Sequence, residues 1–220
     1  MSAFERRQDG IYRCSAFNEF AWQRHGFGTR SANPPVHVTL RQVHSAIAWN
    51  ARDLQDRQHE GDALFTDEIG RAVGVRTADC VPILLLDPRK RVVSAVHAGW
   101  RGTAAQIVSH TIQKLHEGFC SEPSDLLAAI GPCVRQCCYE VGPEVAAEFS
   151  AAYKAKNSRD DKWNLDIAAV NRQQMLESGM LPGRIFDLEA CTVDRAEDFF
   201  SYRREPEIPG RMISSIQRIA

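Results

Sequence analysis

Short apolar runs, bounded by polar or turn-forming residues, recur along the chain up to about Ile130. Runs of four to eight residues that are rich in branched apolar side chains are typical of β-strands. The pattern predicts strands at 36–44 (VHVTLRQVH), 62–66 (DALFT), 72–77 (AVGVRT), 81–87 (VPILLLD) and 91–97 (RVVSAVH).

Helical spacing replaces this pattern in the second half of the chain, where apolar residues recur three or four positions apart. Capping signals mark the expected ends of these helices. One helix is predicted after Thr103, which would be its N-cap in a T-x-x-Q capping box completed by Gln106. Further helices are predicted at 143–156, at 166–178 before Gly179, and over a short stretch from Asp194. A polar loop is predicted at 154–162 (KAKNSRDDK).

A strand-rich half followed by helices predicts an α+β fold, with helices packed outside the sheets. The 220 residues show no internal repeat and no low-complexity tract. We therefore expect one domain that spans residues 1–220.

Composition narrows the classes of function. The formal net charge of -1 argues against an unusually basic nucleic-acid-binding protein. The charged N-terminal stretch and the absence of a long apolar run predict a cytoplasmic protein without a membrane partner. Seven cysteines are an odd number without the spacing of a small disulfide scaffold, which favours buried thiols or metal ligands. Small molecules are the expected partners, and monomer and dimer both stay open.

Cys80 and His97 stand at corresponding ends of the predicted hairpin formed by strands 81–87 and 91–97. A turn centred on Pro88 and Arg89 would place them opposite each other, where opposed Cβ atoms lie roughly 4.5–5.5 Å apart. A thiolate and an imidazole are good ligands for zinc and copper. His44 is the best third ligand, and three protein ligands leave the open position of a catalytic metal site. The alternative is a buried thiol with two ordinary histidines.

Two glycine-containing turns present arginines. The turn 98–103 (AGWRGT) would place Arg101 and backbone N–H groups near an anion such as phosphate, or it is a plain tight turn around Trp100. The turn 25–30 (HGFGTR) presents Arg30. Ordinary structural roles are expected for Cys133, Cys137 and Cys138 in one loop and for His37, His59, His110 and His116.

Six motifs together resemble one family. They are RQVHSA, GDALFT, RTADCVPILLLD, VHAGWRGTA, IGPCVRQCCYEVGPEV and FFSYRRE…GRM, and they extend from about His25 to Met212. In this order they resemble the YfiH family of laccase-domain, or "polyphenol oxidase", proteins. The resemblance implies mixed β-sheets packed together and flanked by helices, similar to the catalytic domain of cytotoxic necrotizing factor. It also implies one zinc, or copper, bound by His44, Cys80 and His97.

The resemblance further implies phosphorolysis of adenosine, inosine, guanosine and methylthioadenosine, with phosphate as co-substrate, and adenosine deamination. In that assignment Arg30 is the phosphate ligand, with support from Arg101. Gln42 would contact the substrate, and Asp62, or alternatively Asp79, would transfer protons. Only SANPP stands before the first predicted strand where the family has a longer glycine-rich loop, and EPEIPGRM replaces a D-G-x-T-G-R-M pattern.

Other functions are compatible with the same residues. The first is a copper phenol oxidase, although three ligands for one metal cannot build several copper centres. The second is an amidase that edits peptidoglycan precursors. The third is a cysteine hydrolase with Cys80 as nucleophile and His97 as base. The fourth is a binding protein without catalysis.

Overall fold

The structure, a computed structural model, describes residues 3–54, 59–157, 161–208 and 210–220. Its helices are α1 (Trp100–Ala104), α2 (Ile107–Phe119), α3 (Pro143–Ala147) and α4 (Ile167–Glu177). Its strands are β1 (Phe4–Arg6), β2 (Tyr12–Cys14), β3 (Gln23–Phe27), β4 (Ala48–Asn50), β5 (Ala63–Thr66), β6 (Ala72–Thr77), β7 (Val81–Asp87), β8 (Val92–Ala98), β9 (Leu127–Ile130), β10 (Glu140–Val141), β11 (Lys154–Lys156), β12 (Trp163–Leu165), β13 (Ile185–Asp187) and β14 (Met212–Arg218).

Three sheets organise these strands. A six-stranded sheet runs in the order β13-β9-β7-β8-β5-β4, a five-stranded sheet in the order β1-β2-β3-β14-β6, and a small sheet in the order β10-β12-β11. The pairs β4–β5 and β13–β9 are parallel and the other pairs antiparallel. The predicted α+β class with mixed sheets is therefore confirmed. The likeness to the toxin domain stays a prediction.

Strand β7 is buried on both faces, which explains its unbroken apolar sequence. Ile83 and Leu85 pack with α2 in one core cluster, whereas Leu84 and Leu86 pack with the five-stranded sheet in a second cluster. Alternate residues of a strand point to opposite faces. Burying each of these side chains contributes roughly 1.5–3 kcal/mol relative to leaving it exposed. The ends of β7 and β8 are thus held rigidly from both sides.

The predicted strand 36–44 does not form. Within it only isolated bridges occur, at Val38 and Arg41, and His44 adopts a left-handed backbone with φ of 60°. The apolar and polar residues alternate because the segment is extended without belonging to a sheet. Val38 N donates to Ala72 O, and Arg41 N donates to His59 O. The segment hydrogen-bonds to loops and strand ends instead of a full ladder.

The predicted hairpin register is wrong by two positions. In the structure Pro82 lies opposite His97 and Asp87 opposite Val92, so Cys80 does not face His97 directly. The turn contains four residues and ends at Arg91, whose φ of 53° is left-handed. The carboxylate of Asp87 fixes this longer turn by accepting hydrogen bonds from the N–H groups of residues 89 and 90.

The helix predictions succeed only in part. The helix predicted at 166–178 is α4, and Asp166 caps it by accepting a hydrogen bond from Ala169 N. Thr103 is not an N-cap, because α1 begins before it and Gln106, with φ of 59°, separates α1 from α2.

The helix predicted at 143–156 ends at Ala147, where α3 stops, and the chain then forms β11. A short 3-10 turn, in which Ser150 accepts from Ala152 N, redirects the chain into the small sheet. Residues 154–156 of the predicted loop therefore belong to β11, whereas residues 158–160 lie outside the described residues. The segment from Asp194 forms turns instead of a helix. No helix in the described part of the chain is long and apolar enough to span a membrane.

Candidate metal centre and its cavities

His44, Cys80 and His97 converge at one end of the six-stranded sheet. His44 lies in the loop before β4, Cys80 immediately precedes β7, and His97 is near the end of β8. Their ligand atoms all lie within 4.8 Å of one another. Cys80 Sγ is 3.9 Å from His44 Nε2, and the two imidazole centroids are 4.9 Å apart. The fold thus brings together the three residues that the sequence selected as metal ligands.

Asp62, just before β5, fixes the geometry of this triad. Its Oδ1 lies 2.7 Å from His97 Nδ1, which leaves Nε2 of that ring to face the other ligands. The same oxygen accepts a hydrogen bond from His44 N at 3.0 Å, and Oδ2 accepts from Ser45 N and Oγ at 2.6 and 2.7 Å. Both carboxylate oxygens are therefore occupied, and Asp62 positions two ligands instead of standing free to transfer protons.

Electrostatics favour an ionised pair inside the triad. Burial raises the pKa of the Cys80 thiol, but hydrogen bonds with His44 and His97 outweigh it and set the pKa at about 6. Burial lowers the pKa of His97, but hydrogen bonds with Asp62 and Cys80 raise it to about 9. Burial also raises the pKa of Asp62, and its hydrogen bonds from His97 and Ser45 bring it below the ordinary value. The triad is therefore a thiolate beside an imidazolium, a site that a cation can enter by displacing one proton.

Gly99 is required here by space. A Cβ atom at this position would lie 2.6 Å from Cδ2 of His44 and 3.2 Å from Sγ of Cys80. Its φ of -74° is accessible to any residue, so close approach, and not backbone conformation, selects glycine. The glycine in the turn 98–103 thus lets the backbone approach the side chains of His44 and Cys80.

Two cavities border the triad. The larger, of about 640 Å³, is lined by His44, Cys80 and His97 and also by Gln42, Arg76, Thr77, Tyr202 and Arg211, among others. The smaller, of about 90 Å³, is lined by His44 and Cys80 with Asp79, Trp100, Arg101 and Tyr139, among others. Small-molecule sites in proteins measure about 300–1,000 Å³, so the larger cavity has room for a nucleoside.

Arginines without carboxylate partners surround these cavities. Arg76 and Arg211 line the larger one and Arg101 the smaller one. Within the described residues none of the three forms an ion pair with an acidic side chain. Arg101 instead stacks over Trp100 at 4.2 Å, and Arg211 lies 5.9 Å from the Tyr202 ring. Guanidinium groups left without an internal anion are suited to bind an anionic ligand.

Arg30, predicted as the phosphate ligand, is not brought to the triad. Its guanidinium forms an ion pair with Glu205 at 2.7 Å and stacks over Phe200 at 4.6 Å, and it lines neither cavity. Gln42 does line the larger cavity, but both ends of its amide bond the backbone of Arg76 at 2.8 Å. Gln42 thereby positions Arg76, which sequence reasoning missed.

One signal could have identified Arg76. It is the exposed position in β6, a strand whose other residues are buried, so an arginine there points towards solvent or a ligand. Arg211 and Tyr202 carry no comparable signal, because they lie in a turn-rich segment without periodicity.

Asp79, the alternative proton-transfer residue, is also committed to structure. Its Oδ1 accepts from Thr192 Oγ1 at 2.6 Å and its Oδ2 from Arg203 N at 2.7 Å. Its backbone is left-handed, with φ of 87°, immediately before Cys80. Asp79 thus ties the segment that carries the thiol to the C-terminal part of the chain.

Comparison with known proteins finds a family and relatives that match most of the chain. The model of the family described as multi-copper polyphenol oxidoreductase laccase matches residues 22–219. A purine nucleoside phosphorylase of Clostridium acetobutylicum is 42% identical over 181 residues, which cover 80% of this chain and 75% of that protein. A protein named adenosine deaminase RL5, from an unknown prokaryotic organism, is 35% identical over 197 residues, covering 82% and 74%. The crystal structure of YlmD from Geobacillus stearothermophilus superposes with a TM-score of 0.90 at 28% identity and covers 100% of both chains.

Proposed function

The chain belongs to the laccase-domain family, whose members include proteins named YfiH, and on that premise we propose that it is a zinc-dependent purine nucleoside phosphorylase. The observation that carries the proposal is the three-ligand cluster opening onto a cavity rimmed by arginines without carboxylate partners. The name of the Clostridium relative supports the reaction class. Adenosine, inosine, guanosine and methylthioadenosine are the proposed substrates, with phosphate as co-substrate.

The donor set of the triad suits zinc. One thiolate and two imidazoles, with Asp62 bonded to the outer nitrogen of His97, form an arrangement that zinc sites in proteins commonly use. When bound, the metal would act as a Lewis acid and polarise an oxygen or nitrogen of the substrate. The same donors accept copper, so metal analysis must distinguish the two.

Arg76 and Arg211 are the proposed phosphate ligands in the larger cavity, in place of Arg30. Gln42 holds the backbone of Arg76 through two hydrogen bonds, which restricts where its guanidinium can reach. An oxygen of hydrogen phosphate would form the bond to the anomeric carbon while the bond to the purine nitrogen breaks, and the proton that the phosphate loses would pass to the leaving purine. Positioning phosphate and nucleoside together supplies much of the rate enhancement in such a reaction.

Tyr202 is the proposed stacking partner of the purine. Its side chain lines the larger cavity and is 58% exposed, so its ring is accessible to a ligand. An aromatic face binds any purine base by stacking, which is compatible with a range of nucleosides. Arg101, on the side of the smaller cavity, is the proposed third cation near the phosphate.

Adenosine deamination is a second candidate reaction, which the name of the RL5 relative favours. The role predicted for Asp62 changes in either reaction. Because both its oxygens are occupied by hydrogen bonds, we propose that Asp62 positions His97 and His44 and does not itself transfer a proton.

Product analysis with adenosine tests the proposal. The full chain, without a histidine tag, is incubated with adenosine with and without phosphate, and metal content is measured in parallel. We expect phosphate-dependent release of adenine by the wild type and by Cys120→Ser, an exposed cysteine outside the triad, and none by Cys80→Ala. Inosine formation without phosphate would instead support deamination. Full activity of metal-free protein would overturn the metal-dependent proposal and favour Cys80 as a nucleophile.

A further inference from the structure

We infer that Cys137, Cys138, Cys191 and Asp194 form a second metal site, which takes a thiophilic divalent cation such as zinc. One ligand atom from each residue lies within 4.8 Å of the other three. Cys137 and Cys138 follow β9, whereas Cys191 lies much later in the chain, so the fold brings the three together. The triad shares none of these residues.

Asp194 provides an observation that itself points to a cation. Its Oδ1 lies 3.1 Å from Cys138 Sγ and its Oδ2 lies 3.3 Å from Cys137 Sγ. Among the described residues Asp194 forms no ion pair with a lysine, arginine or histidine. The exposed carboxylate therefore has thiols as its hydrogen-bond partners, and no cationic side chain of the described residues pairs with it.

Three thiols and a carboxylate in one group are donors that suit a divalent cation. Such a cation would replace the thiol protons on binding, and its charge would offset the negative charge of the thiolates and the carboxylate.

The spacing of the donors suits tetrahedral zinc. With Zn–S bonds of about 2.3 Å and Zn–O bonds of about 2.0–2.2 Å, neighbouring ligand atoms lie roughly 3.5–3.8 Å apart. The observed sulfur–oxygen distances of 3.1 and 3.3 Å and the outer limit of 4.8 Å bracket that range. The ligand atoms that lie farthest apart would have to approach each other by about 1 Å at most to reach the spacing around zinc. Four protein donors leave no open position, which is typical of structural zinc.

The backbone holds the ligand loops together before any metal binds. Cys133 N donates to Ala190 O at 3.2 Å, and Thr192 N donates to Cys133 O at 3.0 Å, which forms a parallel bridge. On one side of that bridge Arg135 forms a two-pronged ion pair with Asp187, one contact of which is 2.8 Å. The ligands therefore extend from a fixed frame, and metal binding costs little ordering.

This site lies behind the wall of the candidate active site. Tyr139, which lines the smaller cavity, directly follows Cys138. Thr192, which directly follows Cys191, donates to Asp79, and Asp79 precedes Cys80. A metal joining the two loops would therefore fix the position of Tyr139 and of the segment that carries the triad thiol. Its role is to brace that wall and not to take part in the reaction.

Metal stoichiometry in defined variants tests the inference. The full chain is purified under reducing conditions without a tag, and zinc per chain is measured for the wild type, Cys80→Ala, Cys138→Ser, the exposed-ligand variant Asp194→Asn, and the control Cys120→Ser. We expect two zinc ions in the wild type and the control and one in Cys80→Ala. Cys138→Ser loses one zinc, and Asp194→Asn binds the second zinc at least tenfold more weakly.

Cobalt substitution in the Cys80→Ala protein identifies the donors without reference to activity. We expect thiolate-to-cobalt charge-transfer absorption of the intensity given by three sulfur ligands, which disappears when Cys138→Ser is added. Thermal unfolding and circular dichroism confirm that each variant is folded. Because Cys80→Ala removes the triad ligand, one metal retained there supports the second site even if the proposed function fails.

Two results would overturn the inference. The first is a folded Cys80→Ala protein that binds neither zinc nor cobalt. The second is a Cys138→Ser protein that retains as much metal as the control.

Discussion

The two cysteine-containing clusters differ in the number of donors and in what lies beside them. The triad of His44, Cys80 and His97 has three donors and opens onto a cavity of about 640 Å³. The group of Cys137, Cys138, Cys191 and Asp194 has four donors and lies between two loops. An incomplete ligand set beside a cavity leaves room for a substrate, whereas a complete set leaves none.

The two clusters also differ in the hydrogen bonds that hold their ligand side chains. Asp62 holds two triad ligands through Oδ1, which bonds His44 N and His97 Nδ1, while its Oδ2 accepts from Ser45, so the triad keeps its shape without a metal. In the second group the carboxylate of Asp194 is itself a candidate metal ligand, and the hydrogen bonds that it accepts among the described residues come from thiols. Both groups extend from a fixed backbone frame, but only the triad has a separate carboxylate that orients its ligands.

Replacing the carboxylate of Asp62 should have the largest effect, because it should weaken metal binding at the triad and not at the second group. We expect Asp62→Asn to weaken zinc binding at the triad by about 10- to 100-fold, because the amide carries no charge and keeps only one acceptor oxygen for His97, His44 N and Ser45. The measurement is competition with a chelator, monitored for each class of site. Ser45→Ala removes one of several hydrogen bonds to the same carboxylate and serves as the milder control. Equal weakening at both sites would show that the effect is general destabilisation.

Removing the arginines that line the larger cavity should weaken phosphate binding, as expected of a substrate site. Arg76→Ala and Arg211→Ala should each raise the KM for phosphate by roughly ten- to a hundred-fold, the value of hydrogen bonds to a charged group. Arg30→Ala is the matched control. Its ion pair with Glu205 is partly exposed, so its loss should lower the free energy of unfolding by about 1 kcal/mol or less and leave that KM unchanged. A raised KM in Arg30→Ala alone would restore the prediction made from the sequence.

The pH dependence of the metal-free protein gives the smallest expected effect. The folded pKa of Cys80 is about 6, below the ordinary 9.0, so its stabilisation is complete above pH 9.0 and is lost as pH falls towards 6. The folded pKa of His97 is about 9, above the ordinary 6.5, so its stabilisation is complete below pH 6.5 and is lost as pH rises towards 9. Because the two contributions change in opposite directions, the pair should leave the thermal stability of the wild type nearly independent of pH between 6.5 and 9. The Cys80→Ser protein keeps only the histidine contribution and should lose stability as pH rises through this range, and an unchanged profile in that variant would refute the ionised pair.

Much of the central fold could be predicted from the sequence, because β5 to β8 are short apolar runs with clear ends. The segment 36–44 has the same alternation but pairs only at isolated bridges, and nothing in a single sequence distinguishes the two cases. The helix predicted at 143–156 failed for a similar reason. Its later residues pair with β12, a tertiary contact that overrides local helical spacing.

The site was predicted in part. The hairpin register was wrong by two positions, yet a shift of two keeps every side chain on its face, so Cys80 and His97 still converge. Arg30 does not lie at the triad, because its guanidinium is held by an ion pair with Glu205, 175 positions away in the chain. Asp62 was recognised, but its role depends on hydrogen bonds that only the folded chain displays.

Anomalous diffraction at the zinc edge, from crystals of the zinc-loaded full chain, tests the central claim most directly. We expect a peak between His44 Nε2, Cys80 Sγ and His97 Nε2, which is absent in crystals of Cys80→Ala, a variant that should also fail to release adenine from adenosine. A protein that releases adenine with phosphate while no peak occurs at the triad would contradict the account.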